Sequence, residues 1–351
     1  MVNYLSAVLS VVFGVALAGL GQSIQSEPSH LFTQFGLTGQ QVAAIDEGRP
    51  VAKVLSWGGS SEIYVFGAVY VNASPDAYLT MARDVSQLEK VPGYLGVGVI
   101  PENATARDLK AITLEPADIK ALATCREDMC DVQLPTAAIQ AFHDGVNWSQ
   151  PDASEQANGL ARGMVLKLID AYRQGGNAAL GTYRDRSHPT RVGEQFEAMV
   201  GRSTVLAESL PELQRYLLKY PDAGLPGADS FFYWEKVNFG LKPVIRVNHA
   251  IVYHAGNDRG TGVVAIKQLY ASRYFNTALD VSACVRDAGR PERRGFYLLT
   301  LKSSQQDGLA GVKGSMVRGV VVDKVRASLE KALLSIKRTL EHSAPTPVSQ
   351  R

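Results

Sequence analysis

Five runs of strand-forming residues follow one another between Phe231 and Ser303, and this series constrains the fold more than any other feature. The runs are FFYWEKV (231–237), PVIRVNHAIVYH (243–254), TGVVAIKQLYASRYF (261–275), ALDVSACVR (278–286) and GFYLLTLKS (295–303). They are rich in β-branched and aromatic residues, and short turns separate them. Strands joined by a few residues pair antiparallel, so the series predicts an antiparallel meander.

A long amphipathic helix is predicted after the meander, from Val317 to Leu340. At 1.5 Å per residue it would be about 36 Å long, enough to cross a whole sheet. Its apolar residues have the spacing of one helical face. They are Val321, Val325, Leu329, Leu333, Ile336 and Leu340.

Two more strands are predicted earlier, at Glu62–Val71 and Tyr94–Ile100, on either side of a helix that Ser74 caps and Pro75 begins. From about residue 105 to 220 the apolar spacing is helical, without a strong strand signal. Two strands are too little sheet to stand alone. We therefore expect 62–100 to join the later strands, with 105–220 as a large helical insertion.

Two stretches carry a resemblance to a known superfamily. The segment EIYVFGAVYVNASPDAYLTMARDVSQLEKVPGYLGVGV (62–99) resembles the opening of START and Bet v 1-like (helix-grip, SRPBCC) domains, and LEKALLSIKRTLE (329–341) resembles their closing helix. The resemblance covers 62–100 and 229–341, and the block 105–220 has no counterpart in it. It implies an α+β fold, in which a curved antiparallel sheet grips the C-terminal helix and leaves a cavity for lipids or other apolar ligands. It implies no cofactor.

A ligand wall is one of two interpretations of the strand at 261–275. Alternation puts Gln268, Tyr270 and Tyr274 on one face and the charged Lys267 and Arg273 on the other. We expect the charged face to lie outside or under the insertion, and the tyrosine face to point inward. The alternative is an ordinary packed core. The predicted ligand-binding residues are Tyr233, Gln268, Tyr270, Tyr274, Val321, Val325 and Leu329.

The aromatic run Phe231–Trp234 has two interpretations. One alternate pair would face the pocket, or the run would pack under the insertion.

The N-terminus has the character of an export signal. No Asp, Glu, Lys, Arg or His precedes Glu27, and residues 5–20 are apolar and small. We expect residues 1–26 to be a signal peptide of a periplasmic or secreted protein. A membrane anchor at 5–20 is the alternative. The predicted remainder is a helical arm at 27–61, a helix-grip domain at 62–341 interrupted by 105–220, and a disordered tail at 342–351.

Cys125 and Cys130 are predicted to form a disulfide that closes a small loop, as suits an exported protein. In a continuous helix, residues five apart are about 7.5 Å apart along the axis, which is too far for this bond. The preceding helix should therefore end near Cys125. Two reduced thiols are the alternative if the chain is not exported. Cys284 is predicted to be buried.

Several function classes are disfavoured. The formal net charge is only +2, and acidic and basic residues are interspersed along the chain. No nucleic-acid partner is therefore expected, because such binding needs a clustered basic face. His249 and His254 are five apart on one strand and face opposite sides, so no metal site is expected. The leading hypothesis is an exported, monomeric carrier of an apolar small molecule or lipid, with possible contact to a membrane surface. The alternatives are a cyclase- or hydrolase-like enzyme using Tyr270, His249 and Glu235, or an envelope interaction protein without a ligand.

Overall fold

The computed structural model describes residues 28–56, 59, 61–91, 93–238, 241–256, 261–306 and 311–343, with the side chains of the last range from 322 to 342. The expected signal peptide (1–26) and the tail beyond Ser343 lie outside these residues. The helices are α1 Pro28–Gln34, α2 Gly39–Asp46, α3 Pro75–Arg83, α4 Pro116–Leu122, α5 Thr136–Gly145, α6 Ala153–Gly175, α7 Val192–Gly201, α8 Thr204–Ser209, α9 Pro211–Lys219 and α10 Gly311–Ser343. Val85–Lys90 and Gly176–Leu180 are 3-10 helices.

The strands are β1 Val51–Leu55, β2 Glu62–Val71, β3 Tyr94–Ile100, β4 Thr182–Tyr183, β5 Thr190–Arg191, β6 Asp229–Val237, β7 Val244–Ala255, β8 Thr261–Ala271, β9 Thr277–Val285 and β10 Phe296–Gln305.

Eight strands form one curved antiparallel sheet in the order β1-β2-β10-β9-β8-β7-β6-β3. β6 to β10 are the meander that the sequence predicted. β2 and β3 join it from opposite sides, and the helical block inserts between β3 and β6. The predicted fold class, an α+β fold with a curved antiparallel sheet and a long C-terminal helix, is therefore confirmed.

β1 was not predicted, because the sequence suggested only a helical arm before residue 62. Val51–Leu55 pairs with β2 and forms one edge of the sheet. It contacts α10 and the turn that follows α1. The amide of Ala52 donates to Glu330 of α10, and the Lys53 ammonium donates to the carbonyl of Gly36.

The outer face of the sheet is covered by α1, α2 and the inserted helices. Strand side chains such as Phe66, Ile251 and Leu299 are buried there with Phe196 and Leu213 of the insertion. A second part of this core joins Phe232 and Trp234 to α6. The outer face therefore carries most of the apolar core.

The inner face is the one on which α10 lies. Leu329, Leu333 and Leu340 pack on apolar residues of β1, β2 and β10. At the other end of the strand order, α3 packs on β7 and β8, and the 3-10 helix Val85–Lys90 packs on β3. Helices therefore cover the two ends of the inner face. Between them run the middle parts of β9 and β10.

Local signals in the sequence explain several element boundaries. Thr38 and Gln41 form the reciprocal capping box that begins α2, and the hydroxyl of Ser74 caps α3 with Pro75 in its first turn. α4 ends at Leu122, and Cys125 and Cys130 form a disulfide with a Cα–Cα distance of 4.8 Å. The predicted disulfide is therefore confirmed. Cys284 is free and buried.

Candidate functional site

A groove is the candidate site. It is the strip of the inner face between α10 on one side and α3 with the 3-10 helix Val85–Lys90 on the other. In its middle, Asp280 of β9 and Lys302 of β10 form an ion pair, and their side chains are 23% and 36% exposed. Charged side chains at the centre of an eight-stranded sheet are unusual. Their exposure indicates that solvent reaches the sheet here.

A second ion pair lies deeper, two strands away from β9. The Arg246 guanidinium of β7 is 2.8 Å from the Glu235 carboxylate of β6, and Arg246 Nε donates to the side-chain oxygen of Gln268 at 3.2 Å. The side-chain amide of Gln268 donates in turn to the carbonyl of Phe275 at 3.2 Å. Glu235 and Gln268 are almost completely buried. We call Tyr94, Tyr233, Glu235, Arg246, Asn248, Gln268, Asp280 and Lys302 the polar cluster.

The pKa values show how closely these groups interact. Burial raises the pKa of Glu235, while Arg246 and the amide of Asn248 oppose that shift. Burial also raises the pKa of Tyr94, and the negative charge of Glu235 adds to this. The same two causes raise the pKa of Tyr233. Both phenols are therefore neutral at physiological pH and available for hydrogen bonds.

Apolar side chains lie around the polar cluster. Leu88 of the 3-10 helix, Val97 of β3, Phe231 of β6 and Ile266 of β8 pack together and are only partly buried. On the opposite side, Val325 of α10 is likewise partly buried against the inner-face core. The groove therefore combines a polar floor with apolar walls, as ligand sites for amphipathic molecules do.

The structure places two predicted ligand residues of the sheet on the polar floor. Tyr233 and Gln268 flank Asn248 in one row across β6, β7 and β8. On α10, Leu329 is buried against the sheet and Val325 is partly exposed beside it. The side chain of Val321 lies outside the described residues.

The expectation that Tyr270 shares a face with Gln268 is wrong. The register between β7 and β8 shifts, so that Asn248 pairs with Gln268 and Val247 pairs with Tyr270. A β-bulge of this kind adds one residue to a strand and reverses the side-chain alternation beyond it. Tyr270 consequently lies on the outer face, with its ring 6.1 Å from that of Tyr183. Tyr274 lies past the end of β8 with φ of 68°.

The aromatic run of β6 is divided between the two faces. Phe232 and Trp234 lie under the insertion, and Phe231 and Tyr233 face the groove. The interpretation that the run packs under the insertion therefore holds for Phe232 and Trp234, while a pocket-facing role stays a prediction for Phe231 and Tyr233.

Sequence reasoning missed five members of the polar cluster as site residues, namely Tyr94, Arg246, Asn248, Asp280 and Lys302. A signal was present, because Asp280 and Lys302 are each the only charged residue of their strand. Knowing that they pair required the register of β9 and β10, in which the two residues are direct neighbours.

A second buried polar group lies on the outer face, under the insertion. The Lys267 ammonium donates to the hydroxyl of Tyr172 at 3.0 Å and to the side-chain oxygen of Asn177. It also lies over the rings of Tyr172 and Phe196, at 4.5 and 4.1 Å. Burial lowers the pKa of Lys267 well below its usual value. The charged face of β8 is therefore the one covered by the helical block, as the sequence suggested.

His249 belongs to the same outer-face group. Its Nδ1 is 3.2 Å from the Tyr172 hydroxyl, and its Nε2 is 2.7 Å from the hydroxyl of Ser230. Burial, with a smaller effect of Lys267, lowers the pKa of His249 to about 3. A histidine with so low a pKa is a weak base.

The acid–base set considered for an enzyme is not assembled. Glu235 faces the groove, whereas His249 and Tyr270 face the insertion on the other side of the sheet.

Two surface clefts are formed by described residues, and both lie outside the groove. One of about 420 Å³ is lined by charged residues that include Asp46, Arg293 and Lys337. The other, of about 230 Å³, lies beside Phe32 and Arg290. Neither cleft is the apolar cavity that the resemblance implies. That cavity stays a prediction.

Within the described part of the chain, no group of three or more His, Cys, Asp or Glu is placed to hold a metal ion. No helix in the same residues is long and apolar enough to cross a bilayer.

Comparison with known proteins finds similarity in structure but not in sequence. No family model matches the sequence, and no curated protein matches it. Among solved structures, the chain is similar to a fragment of a STAR-related lipid transfer protein from Xanthomonas axonopodis. The TM-score is 0.36 at 10% sequence identity, and the match covers 83% of this chain and 94% of that chain. The fold description therefore rests on the topology of this chain itself.

Proposed function

We propose that the protein binds an apolar small molecule, such as a lipid, in the groove between α10 and the 3-10 helix Val85–Lys90. The observation that carries the proposal is the combination of partly exposed Phe231, Ile266 and Val325 with the polar cluster directly beside them. A packed core would bury these apolar side chains completely and would not place an ion pair at the centre of the sheet.

The bound molecule would be amphipathic. Its apolar part would contact the walls of the groove, and its polar end would lie on the floor near Asp280 and Lys302. Because burial of apolar area drives such binding, the protein would act as a carrier or a store. The element order, with α10 packed on the inner face over β1 and β2, supports membership of the START and Bet v 1-like superfamily.

Export is part of the proposal. The disulfide between Cys125 and Cys130 supports it, because such bonds persist in oxidising compartments.

Native mass spectrometry of the full chain, purified without detergent, tests the proposal first. A co-purified mass of lipid size, released by organic solvent, is the expected result. Binding is then measured with a long-chain alcohol that carries a solvatochromic fluorophore, whose emission shifts to the blue in an apolar groove.

A blocking variant locates the site. Val325→Trp fills the space between α10 and the floor, and we expect it to weaken binding of the fluorescent probe by about tenfold or more, since about 1.4 kcal/mol corresponds to tenfold. Arg326→Trp is the matched control, because Arg326 is the next residue of the same helix and is exposed. Equal binding by both variants, or no binding by the unmodified protein, would contradict the proposal.

A further inference from the structure

Asn248 is the unusual member of the polar cluster. It is completely buried in the middle of β7, its side-chain oxygen has no hydrogen-bond partner among the described residues, and its side-chain nitrogen has none of normal geometry. The amide does interact with the Glu235 carboxylate, through a weak hydrogen bond that lowers the pKa of that carboxyl but lies outside normal hydrogen-bond geometry. Leaving a buried amide unpaired costs about 1–3 kcal/mol for each group. Such a residue therefore indicates a missing partner.

The position of Asn248 connects it to the groove. Its neighbours across the sheet are Tyr233 and Gln268 on the same inner face. The next inner-face residue of β7, Ala250, pairs with Phe231 and Ile266. These two side chains are partly exposed apolar walls of the groove. Ile266 therefore pairs with the residue of β7 that is next to Asn248 on the inner face, so a molecule in contact with Ile266 lies close to the Asn248 amide.

The charges of the floor are already compensated. Arg246 is paired with Glu235, and Lys302 is paired with Asp280. An anionic head group would have to displace a carboxylate from one of these cations, and a cationic head group would have to displace a cation. Burying an uncompensated charge is far more costly than burying a neutral polar group.

We infer that the ligand of the groove ends in an uncharged group that both donates and accepts hydrogen bonds, such as an amide or a hydroxyl, and that Asn248 is the residue that binds it. An amide side chain offers one acceptor and two donors, so it pairs with such a group in both directions. The inference rests on the proposed function and specifies the ligand class more closely.

Amphipaths with one chain length and different head groups test the inference. Lauramide and monolauroylglycerol are neutral, laurate and dodecyl phosphate are anionic, and dodecyltrimethylammonium is cationic. Each compound, used below its critical micelle concentration, is tested for displacement of the fluorescent probe from the full-length protein. We expect the two neutral compounds to bind about tenfold more tightly than the three charged ones, since one buried hydrogen-bonding group left unpaired corresponds to a ratio of roughly 5- to 150-fold.

A variant links the preference to Asn248. Asn248→Leu has a similar size and no hydrogen-bonding group, and we expect it to lose most of the advantage of the neutral compounds while still binding the fluorescent probe. As a second measurement, the side-chain amide signals of Asn248 in the ¹⁵N spectrum of the unmodified protein should shift on addition of lauramide. This measurement decides the question even if the variant does not fold.

The outcomes separate the two proposals. If no amphipath binds, the proposed function itself is wrong. If charged compounds bind as tightly as neutral ones, or if Asn248→Leu keeps the neutral preference, the groove binds ligands but the inference about Asn248 is wrong. An amide signal that does not respond to lauramide also overturns the inference, and would indicate that the partner of Asn248 is an ordered water.

Discussion

Gly67 of β2 lies directly beneath Leu329 of α10. A β-carbon at Gly67 would be 2.7 Å from Leu329 Cδ2 and 2.9 Å from Leu333 Cδ1. Distances below about 3 Å are repulsive, so only glycine allows the helix to approach the strand this closely. The glycine thus sets the position of α10 over β2, and with it one side of the groove.

Replacing Gly67 by alanine should therefore destabilise the protein. We expect Gly67→Ala to lower the free energy of unfolding by about 1–3 kcal/mol, the usual cost of adding a methyl group to a packed core. Urea unfolding followed by circular dichroism measures it.

The control for this variant is Gly163→Ala in α6, where no atom lies within 4 Å of the added carbon. Alanine is favoured over glycine within helices by about 1 kcal/mol, so this variant should be neutral or stabilising. Equal effects of the two substitutions would mean that α10 does not pack on Gly67.

The sequence was sufficient to predict the overall architecture. Five strands with short turns leave few arrangements other than a meander, and the stripe containing Leu329 and Leu333 needs an apolar surface on which to lie. The capping residues Thr38 and Ser74 act within one turn of helix. Signals that act locally, or that repeat over many residues, were therefore interpreted correctly.

The polar cluster depended on information that a single strand does not carry. The pairing of Asp280 with Lys302 requires the register of two strands. The position of Tyr270 depends on a bulge in β8, and nothing in the sequence of β8 identifies the extra residue. β1 was missed because five residues, VAKVL, form a strand only where β2 offers an open edge.

The disulfide is expected to stabilise the fold to a small extent. Closing a loop of about six residues in the unfolded chain corresponds to roughly 2 kcal/mol in the chain-entropy model. The double variant Cys125→Ser with Cys130→Ser should lose about this amount in urea unfolding. Dithiothreitol should lower the stability of the unmodified protein equally and leave the double variant unchanged. A reductant effect on the double variant would contradict this account.

The stability of the protein should fall in mild acid because of His249. Burial lowers the pKa of His249 to about 3, whereas histidine in the unfolded chain titrates near 6.5. The unfolded state therefore binds one more proton between these values. The contribution is complete above about pH 6.5 and decreases as the pH falls toward 3, by roughly 3 kcal/mol at pH 4.5.

The difference between variants isolates this contribution from that of the carboxylates. His249→Phe should lose less stability than the unmodified protein between pH 7 and pH 4.5, by the amount given above. His188→Ala, which changes an exposed histidine, should keep the original pH dependence. A His249→Phe variant with unchanged pH dependence would show that His249 is not held neutral.

Lys267 should have the corresponding effect in alkali. Burial lowers its pKa well below 10.5 in the folded protein, against an opposing effect of Glu197, and the unfolded chain keeps the proton up to about pH 10.4. The free energy of unfolding should therefore rise with pH in this range, with a contribution from Lys267 of up to about 1.4 kcal/mol per pH unit.

Lys267→Met removes that contribution, so its stability relative to the unmodified protein should decrease from pH 8.5 to pH 10. Lys331→Met, at an exposed position of α10, should follow the unmodified protein, and parallel curves for all three proteins would mean that Lys267 keeps an ordinary pKa.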